Sequence, residues 1–259
     1  MIRELTVPWF LDRPRPGLEG PVSSWARTAL AVPAGGDTTR AVAPVHREIA
    51  AFVVDTLADG DVPLVVAGDC CAAIPVVAGW QRAGITPALV WLDAHGDFNT
   101  PATSASGFLG GMPLAMLTGR GDLAMPRAVG AVPLADGHVH LGDARDLDPP
   151  EVEALAASGV HVAARLDALL ATLADDVPVH LHFDCDLITS EEVPAQSYPV
   201  AGGPRAIEVE TFLRALAVRN RIVAVSVCGW EPSLDADGRS ARLCRRCIDA
   251  ACQPFRTRE

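Results

Sequence analysis

The sequence predicts an α/β fold, a mainly parallel sheet covered by helices on both faces. Three observations predict it. Short runs rich in β-branched residues alternate with longer alanine-rich segments, the order that builds parallel strands joined by crossover helices. The runs are almost continuously apolar, as in Pro87-Ala-Leu-Val-Trp-Leu92, which suits strands buried on both faces. Polar residues gather just after the runs, where open α/β sheets bind their ligands.

Strands are expected over 63–67, 88–92, 138–141, 179–183 and 222–227. Helices are expected over 45–57, 72–83, 151–157, 166–173, 204–217 and 240–252. The proline-rich stretch from Pro8 to Pro21 reads as an irregular lead-in. There is no internal repeat and no low-complexity linker, and the 259 residues read as one domain, 1–259.

Hydrophobic residues make up 49% of the chain, enough for a sizeable core. The net charge of -11 argues against nucleic acid, which needs basic patches. It suits a carboxylate-rich site for cations. All 21 basic residues are arginine, which excludes Schiff-base lysines and a Walker A lysine. No stretch approaches the ~18 apolar residues of a membrane helix, and the first residues lack a signal peptide's apolar run. Seven cysteines, an odd number, are then expected to be reduced thiols in the cytoplasm. Cys244 and Cys247 lack a second pair to complete a zinc knuckle and read as ordinary thiols.

The chemistry lies in two clusters. Asp93, His95 and Asp97 follow one run, and Asp184 and Asp186 end another. Residues two apart on an extended segment share a side, so each cluster presents its donors to one spot. A lone Asp there would read as a helix cap or loop residue. Four converging carboxylates would raise one another's pKa, and two divalent cations ~3.5–4 Å apart relieve that repulsion and acidify a shared water.

Asp93-Ala-His-Gly-Asp-Phe-Asn99, His182-Phe-Asp-Cys-Asp186, Ser104-Ala-Ser-Gly107 and Gly110-Gly-Met-Pro113 together resemble the arginase and agmatinase family of ureohydrolases, over about 64–237. The resemblance implies a three-layer αβα sandwich around a mainly parallel sheet of about eight strands. It implies two metals, usually Mn2+, with Asp93 and Asp184 bridging them, Cys70 and Asp97 completing one position, and His95 and Asp186 the other. Asp97 would also orient the metal-bridging hydroxide. Asn99, Ser104 and Ser106 would hold the α-carboxylate of an amino-acid substrate, and Asp148 and Glu151 its α-ammonium. The two acids also suit a helix start.

Four positions depart from the family, three of them at the chemistry itself. Cys70 stands where the family has a metal-binding histidine; a thiolate is soft, whereas manganese prefers hard donors. Gly110 replaces a proton-shuttling histidine, and Gly229 replaces a guanidinium-binding glutamate. Glu231 lies two residues on and is a candidate substitute, or a cap at Pro232. Tyr198 replaces a small hydroxyl residue and would narrow the pocket.

A guanidinium stays charged because its pKa lies above ~12. An N-hydroxylated guanidine is less basic and depends less on a buried counter-ion. The departures thus resemble ureohydrolases acting on Nω-hydroxy-L-arginine, implying hydroxyurea and L-ornithine as products. Alternatives are another guanidino compound, or a catalytically silent homologue that binds an amino acid. Histone-deacetylase-like amide hydrolysis uses one zinc and histidine pairs, whereas His180 and His182 read as core residues. A monomer is expected, with a homo-oligomer left open.

Overall fold

The structure is a computed structural model that describes residues 1–18 and 37–252. Seven strands form one wholly parallel sheet: β1 (Ile2–Val7), β4 (Val62–Ala67), β5 (Ala88–His95), β6 (Val139–Asp146), β7 (His161–Ala163), β8 (Val179–Asp184) and β9 (Ile222–Cys228). Their order across the sheet is β1-β4-β9-β8-β5-β6-β7. A small antiparallel ribbon, β2 (Trp9–Phe10) with β3 (Arg13–Pro14), lies within the stretch expected to be irregular. Residues 19–21 of that stretch fall outside the described residues.

The five predicted strands are the five inner ones, β4, β9, β8, β5 and β6. The two unpredicted ones are the edges. Edge strands carry polar residues because one side is open: β1 reads Ile-Arg-Glu-Leu-Thr-Val, with Arg3 paired to Asp59 and Asp61 at 2.7 and 2.9 Å. Strand β7 is only three residues long. Seven strands, not eight, form the main sheet among the described residues.

Alternate side chains of each inner strand enter two different cores. Val65, Leu89, Trp91 and Leu141 face α1 (Thr38–Ala58), α2 (Ala73–Arg82), α3 (Pro113–Leu117), α4 (Ala124–Ala128) and the side of α5 (Pro149–Ala156) that carries Leu155. Leu64, Val66, Val90, Leu92 and Phe183 face α6 (Leu166–Thr172), α7 (Ala206–Arg219) and α8 (Arg239–Cys252). That is the three-layer αβα arrangement. No helix among the described residues is long and apolar enough to cross a membrane.

Helix α1 starts seven residues before the predicted 45, because Pro44 is carried inside the helix rather than marking its start. The Asp37 carboxylate caps it by accepting from Thr39 N–H at 2.9 Å.

Candidate metal centre

The sheet register places the candidate donors in a row. Trp91 pairs with His182 and Leu92 with Phe183, so the next residues, Asp93 and Asp184, are neighbours. Asp184 pairs with Cys228 at the end of β9. Cys70 opens the short turn after β4, beyond Ala67. From one strand to the next the carboxyl edge therefore reads Cys70, Cys228, Asp184, Asp93. All four are buried.

Hydrogen bonds fix this row. Asp93 Oδ1 accepts from His95 N–H at 2.7 Å. Asp184 Oδ1 accepts from Asp186 N–H at 2.8 Å, and Asp186 Oδ1 from Ala94 N–H at 3.1 Å, which ties the two loops together. His95 Nδ1 lies 3.0 Å from Asp186 Oδ2 and 3.2 Å from Asp93 Oδ1. Asp97 has a positive φ of 49°, and its buried Oδ2 has no hydrogen-bond partner among the described residues. Behind the row, Arg145 pairs with Asp143 and donates to the carbonyls of Asp186 at 2.8 Å and Leu187 at 3.2 Å.

Burial and the neighbouring Asp186 push Asp184 up to about 7. Burial and Asp93 push Asp186 up to about 6. Burial and Asp93 also hold Asp97 well above the usual carboxylate range. Burial disfavours the proton on His95, but hydrogen bonds to Asp186 and Asp93 outweigh it and push the ring up to about 12. No arginine pairs with any of these four acids among the described residues. Four crowded carboxylates, one imidazole and an unpartnered oxygen fit a pair of divalent cations. Donor atoms of Asp93, His95 and Asp186 group within 4.8 Å, and so do those of Cys70, Asp93 and Asp184.

A cavity of about 460 Å³ opens onto the row. It brings together Cys70, His95, Asp97, Asn99, Ser104, Ser106, Asp148, Glu151, Asp184, Asp186 and Tyr198. Asn99 Nδ2 donates to Asp148 Oδ2 at 3.0 Å. Glu151 Oε1 accepts from Phe98 N–H at 2.7 Å, and both acids also begin α5. Ser104 and Ser106 sit 3.4 Å apart through their hydroxyls. Glu231 is not on the cavity wall: Arg15 pairs with its Oε2, and its Oε1 accepts from Ser233 Oγ at 2.6 Å.

Sequence reasoning missed Cys228, and also the aromatic wall where Phe10, Phe108 and Tyr198 meet at centroid distances of 5.2 to 6.3 Å. A signal for Cys228 existed, since it ends an apolar run as Asp184 does. Tyr198 is expected from the sequence to narrow the pocket, but Phe10 and Phe108 lie far from it in the chain and gave no signal. His180 and His182 lie in the core beneath the row, as expected.

Buried acids converging at the carboxyl edge of a parallel sheet define an α/β protein with a candidate dinuclear metal site. The family model described as the arginase family matches residues 20–252, and the chain belongs to that family. Its members are dinuclear manganese hydrolases of guanidino and amidino C–N bonds. The chain is 32% identical over 216 residues to the arginase of Brevibacillus brevis, covering 78% of this chain and 72% of that one. It is 32% identical over 220 residues to the Neurospora crassa arginase, covering 76% of this chain but only 61% of that protein's length. The solved arginase of Bacillus caldovelox superposes with a TM-score of 0.83 at 26% identity, covering 96% of this chain and 97% of that one.

Proposed function

We propose that this protein hydrolyses the guanidine Cζ–Nε bond of Nω-hydroxy-L-arginine, giving hydroxyurea and L-ornithine. One observation carries the reading. The cavity keeps a full set of polar groups for an amino-acid end, yet its wall has glycine at positions 110 and 229, where the family's proton shuttle and guanidinium acid would stand. A less basic, N-hydroxylated guanidine suits that combination.

Cys70, Asp93, His95, Asp97, Asp184 and Asp186 would hold two divalent cations, which when bound polarise the substrate and acidify a water molecule. The unpartnered oxygen of Asp97 accepts the proton of the attacking water. Asp148 and Glu151 face the α-ammonium, and Asn99 with the two serines faces the α-carboxylate. Phe108 and Tyr198, in contact with each other, line the cavity and narrow it. The proton needed by the departing amine comes from the substrate's own N–OH, since position 110 supplies none, and the proton taken up by Asp97 restores that N–OH on the hydroxyurea product. All seven cysteines are free and buried, which suits the reducing cytoplasm.

The test is a product assay. Manganese-loaded protein is incubated with L-arginine, Nω-hydroxy-L-arginine and agmatine, and urea, hydroxyurea and ornithine are read by mass spectrometry. Turnover of L-arginine equal to or above that of the hydroxylated substrate overturns the proposal. A folded protein that takes up no metal and turns over none of the three is a binding module instead.

A further inference from the structure

Two cysteines, not one, stand at the Cys70 end of the row. Cys70 Sγ lies 3.4 Å from Cys228 Sγ and 3.3 Å from Asp184 Oδ2, and Cys228 Sγ lies 3.2 Å from the same oxygen. These three atoms form a nearly equilateral triangle. Around a tetrahedral zinc, with Zn–S near 2.3 Å and Zn–O near 2.1 Å, donor-to-donor edges come to roughly 3.5–3.8 Å. The triangle is within a few tenths of an ångström of that size before any ion contracts or expands it.

A buried hydrogen-bond relay ends at the second sulfur. The Trp80 indole N–H, which can only donate, reaches His180 Nδ1 at 3.3 Å. The proton of a neutral His180 is then on Nε2, 3.0 Å from Ser226 Oγ. The Ser226 hydroxyl is left to donate to His182 Nδ1 at 2.9 Å. The proton of His182 therefore sits on Nε2, 3.6 Å from Cys228 Sγ. No carboxylate lies within ion-pair distance of either ring among the described residues. His182 thus presents an N–H to the sulfur rather than a lone pair to an ion, which makes it a support for a thiolate and not a ligand.

We infer that Cys70, Cys228 and Asp184 form a two-thiolate position that takes a zinc- or cobalt-class ion in preference to manganese. The soft donors select the ion. Binding releases the two thiol protons to solvent as the sulfurs coordinate, and Asp97, which lines the same cavity wall as Cys70, would supply the fourth donor. Asp93, His95 and Asp186 are left as an oxygen- and nitrogen-rich position for a harder ion. The inference rests on the two-cation reading above.

The test uses the full chain, stripped of metal under anaerobic conditions. Zinc is added at one equivalent and the sulfur neighbours of the ion are counted by X-ray absorption; two at about 2.3 Å are expected. Cobalt is then titrated into wild type, C70S and C228S, reading the near-ultraviolet sulfur-to-cobalt absorption. Each variant is expected to lose about half of it, and zinc to displace cobalt at least tenfold more readily than manganese does. One sulfur or none around zinc in the wild type overturns the inference, whatever the variants do. So does a C228S spectrum equal to wild type. Assaying the same preparations separates the two claims. Two sulfurs without hydrolysis leave this position standing and remove the substrate reading, whereas hydrolysis with no sulfur neighbour does the reverse.

Discussion

The carboxylate of Asp184 fills the space that a side chain on Gly229 would need. A Cβ there would lie 2.6 Å from Asp184 Cγ and 2.7 Å from its Oδ2, at a backbone φ of +81° that favours glycine. The acid that would pair with a guanidinium therefore cannot be put back by one substitution. Gly229→Glu is expected to displace Asp184, to bind metal at least tenfold more weakly and to gain no turnover of L-arginine. Metal content after dialysis, with an ornithine assay, checks this. Appearance of L-arginine turnover with full metal content would contradict it.

Phe108 plays the equivalent part at the other departure. A Cβ on Gly110 would run into Cζ and Cε1 of the Phe108 ring. Overpacking of this kind costs about 1–3 kcal/mol, so Gly110→His alone is expected to lower thermal stability. The pair Gly110→His with Phe108→Ala is expected to recover much of that loss, because the added ring takes the vacated space. Thermal unfolding of the two variants reads the coupling. Equal melting temperatures for both would show that Phe108 is not what fills the position.

Legibility in the sequence followed burial. Inner strands such as β5 are covered on both faces and announce themselves as apolar runs. The edge strand β1 mixes Arg3 and Glu4 into its run and does not. The Asp93, His95 and Asp97 cluster could be read because the period of a strand aligns donors locally. The juxtaposition of Cys70 with Cys228 could not, because it depends on β9 pairing beside β4 across 158 residues of sequence separation. Glu231 shows the converse: two residues from Gly229 in sequence, it is drawn off the cavity wall by Arg15.

The raised carboxylates make metal stabilisation depend on pH in a definite direction. An acid whose folded pKa is raised stabilises the fold at low pH, and loses that contribution as pH rises through its folded value. For Asp186 and Asp184 those values are about 6 and about 7. His95, raised to about 12, likewise contributes fully below its unfolded value near 6.5 and progressively less above it. Cations need all three groups without their protons. The melting-temperature gain on adding metal should therefore grow from about pH 5.5 to about pH 8, each extra kcal/mol appearing as about 2–4 °C. Taking the difference between loaded and metal-free protein cancels the buried neutral histidines, such as His46 with its value near 4. A gain that stays constant across that range would mean that these groups do not hold the metal.

Arg145 links the candidate site to the scaffold, and its removal has a signature beyond lost stability. It pairs with Asp143 while also serving the carbonyls of Asp186, Leu187 and Val200. Burial already raises Asp143, and Arg145 opposes that rise. Arg145→Met leaves the acid without its partner and the Asp186 loop without its tether, so a loss of about 3–5 kcal/mol is expected near neutral pH. Without the guanidinium the folded pKa of Asp143 moves further up, and the deficit is present above the unfolded value and shrinks as pH falls towards about 4. Adding Asp143→Asn to the variant should restore part of the stability at neutral pH, because no buried charge then remains. Metal affinity should stay low in the double variant, since the Asp186 carbonyl still lacks its donor. Denaturant unfolding at two pH values, with metal titration of the same proteins, separates the two effects. Full recovery of metal affinity by Asp143→Asn would show that the ion pair, and not the carbonyl tether, positions Asp186.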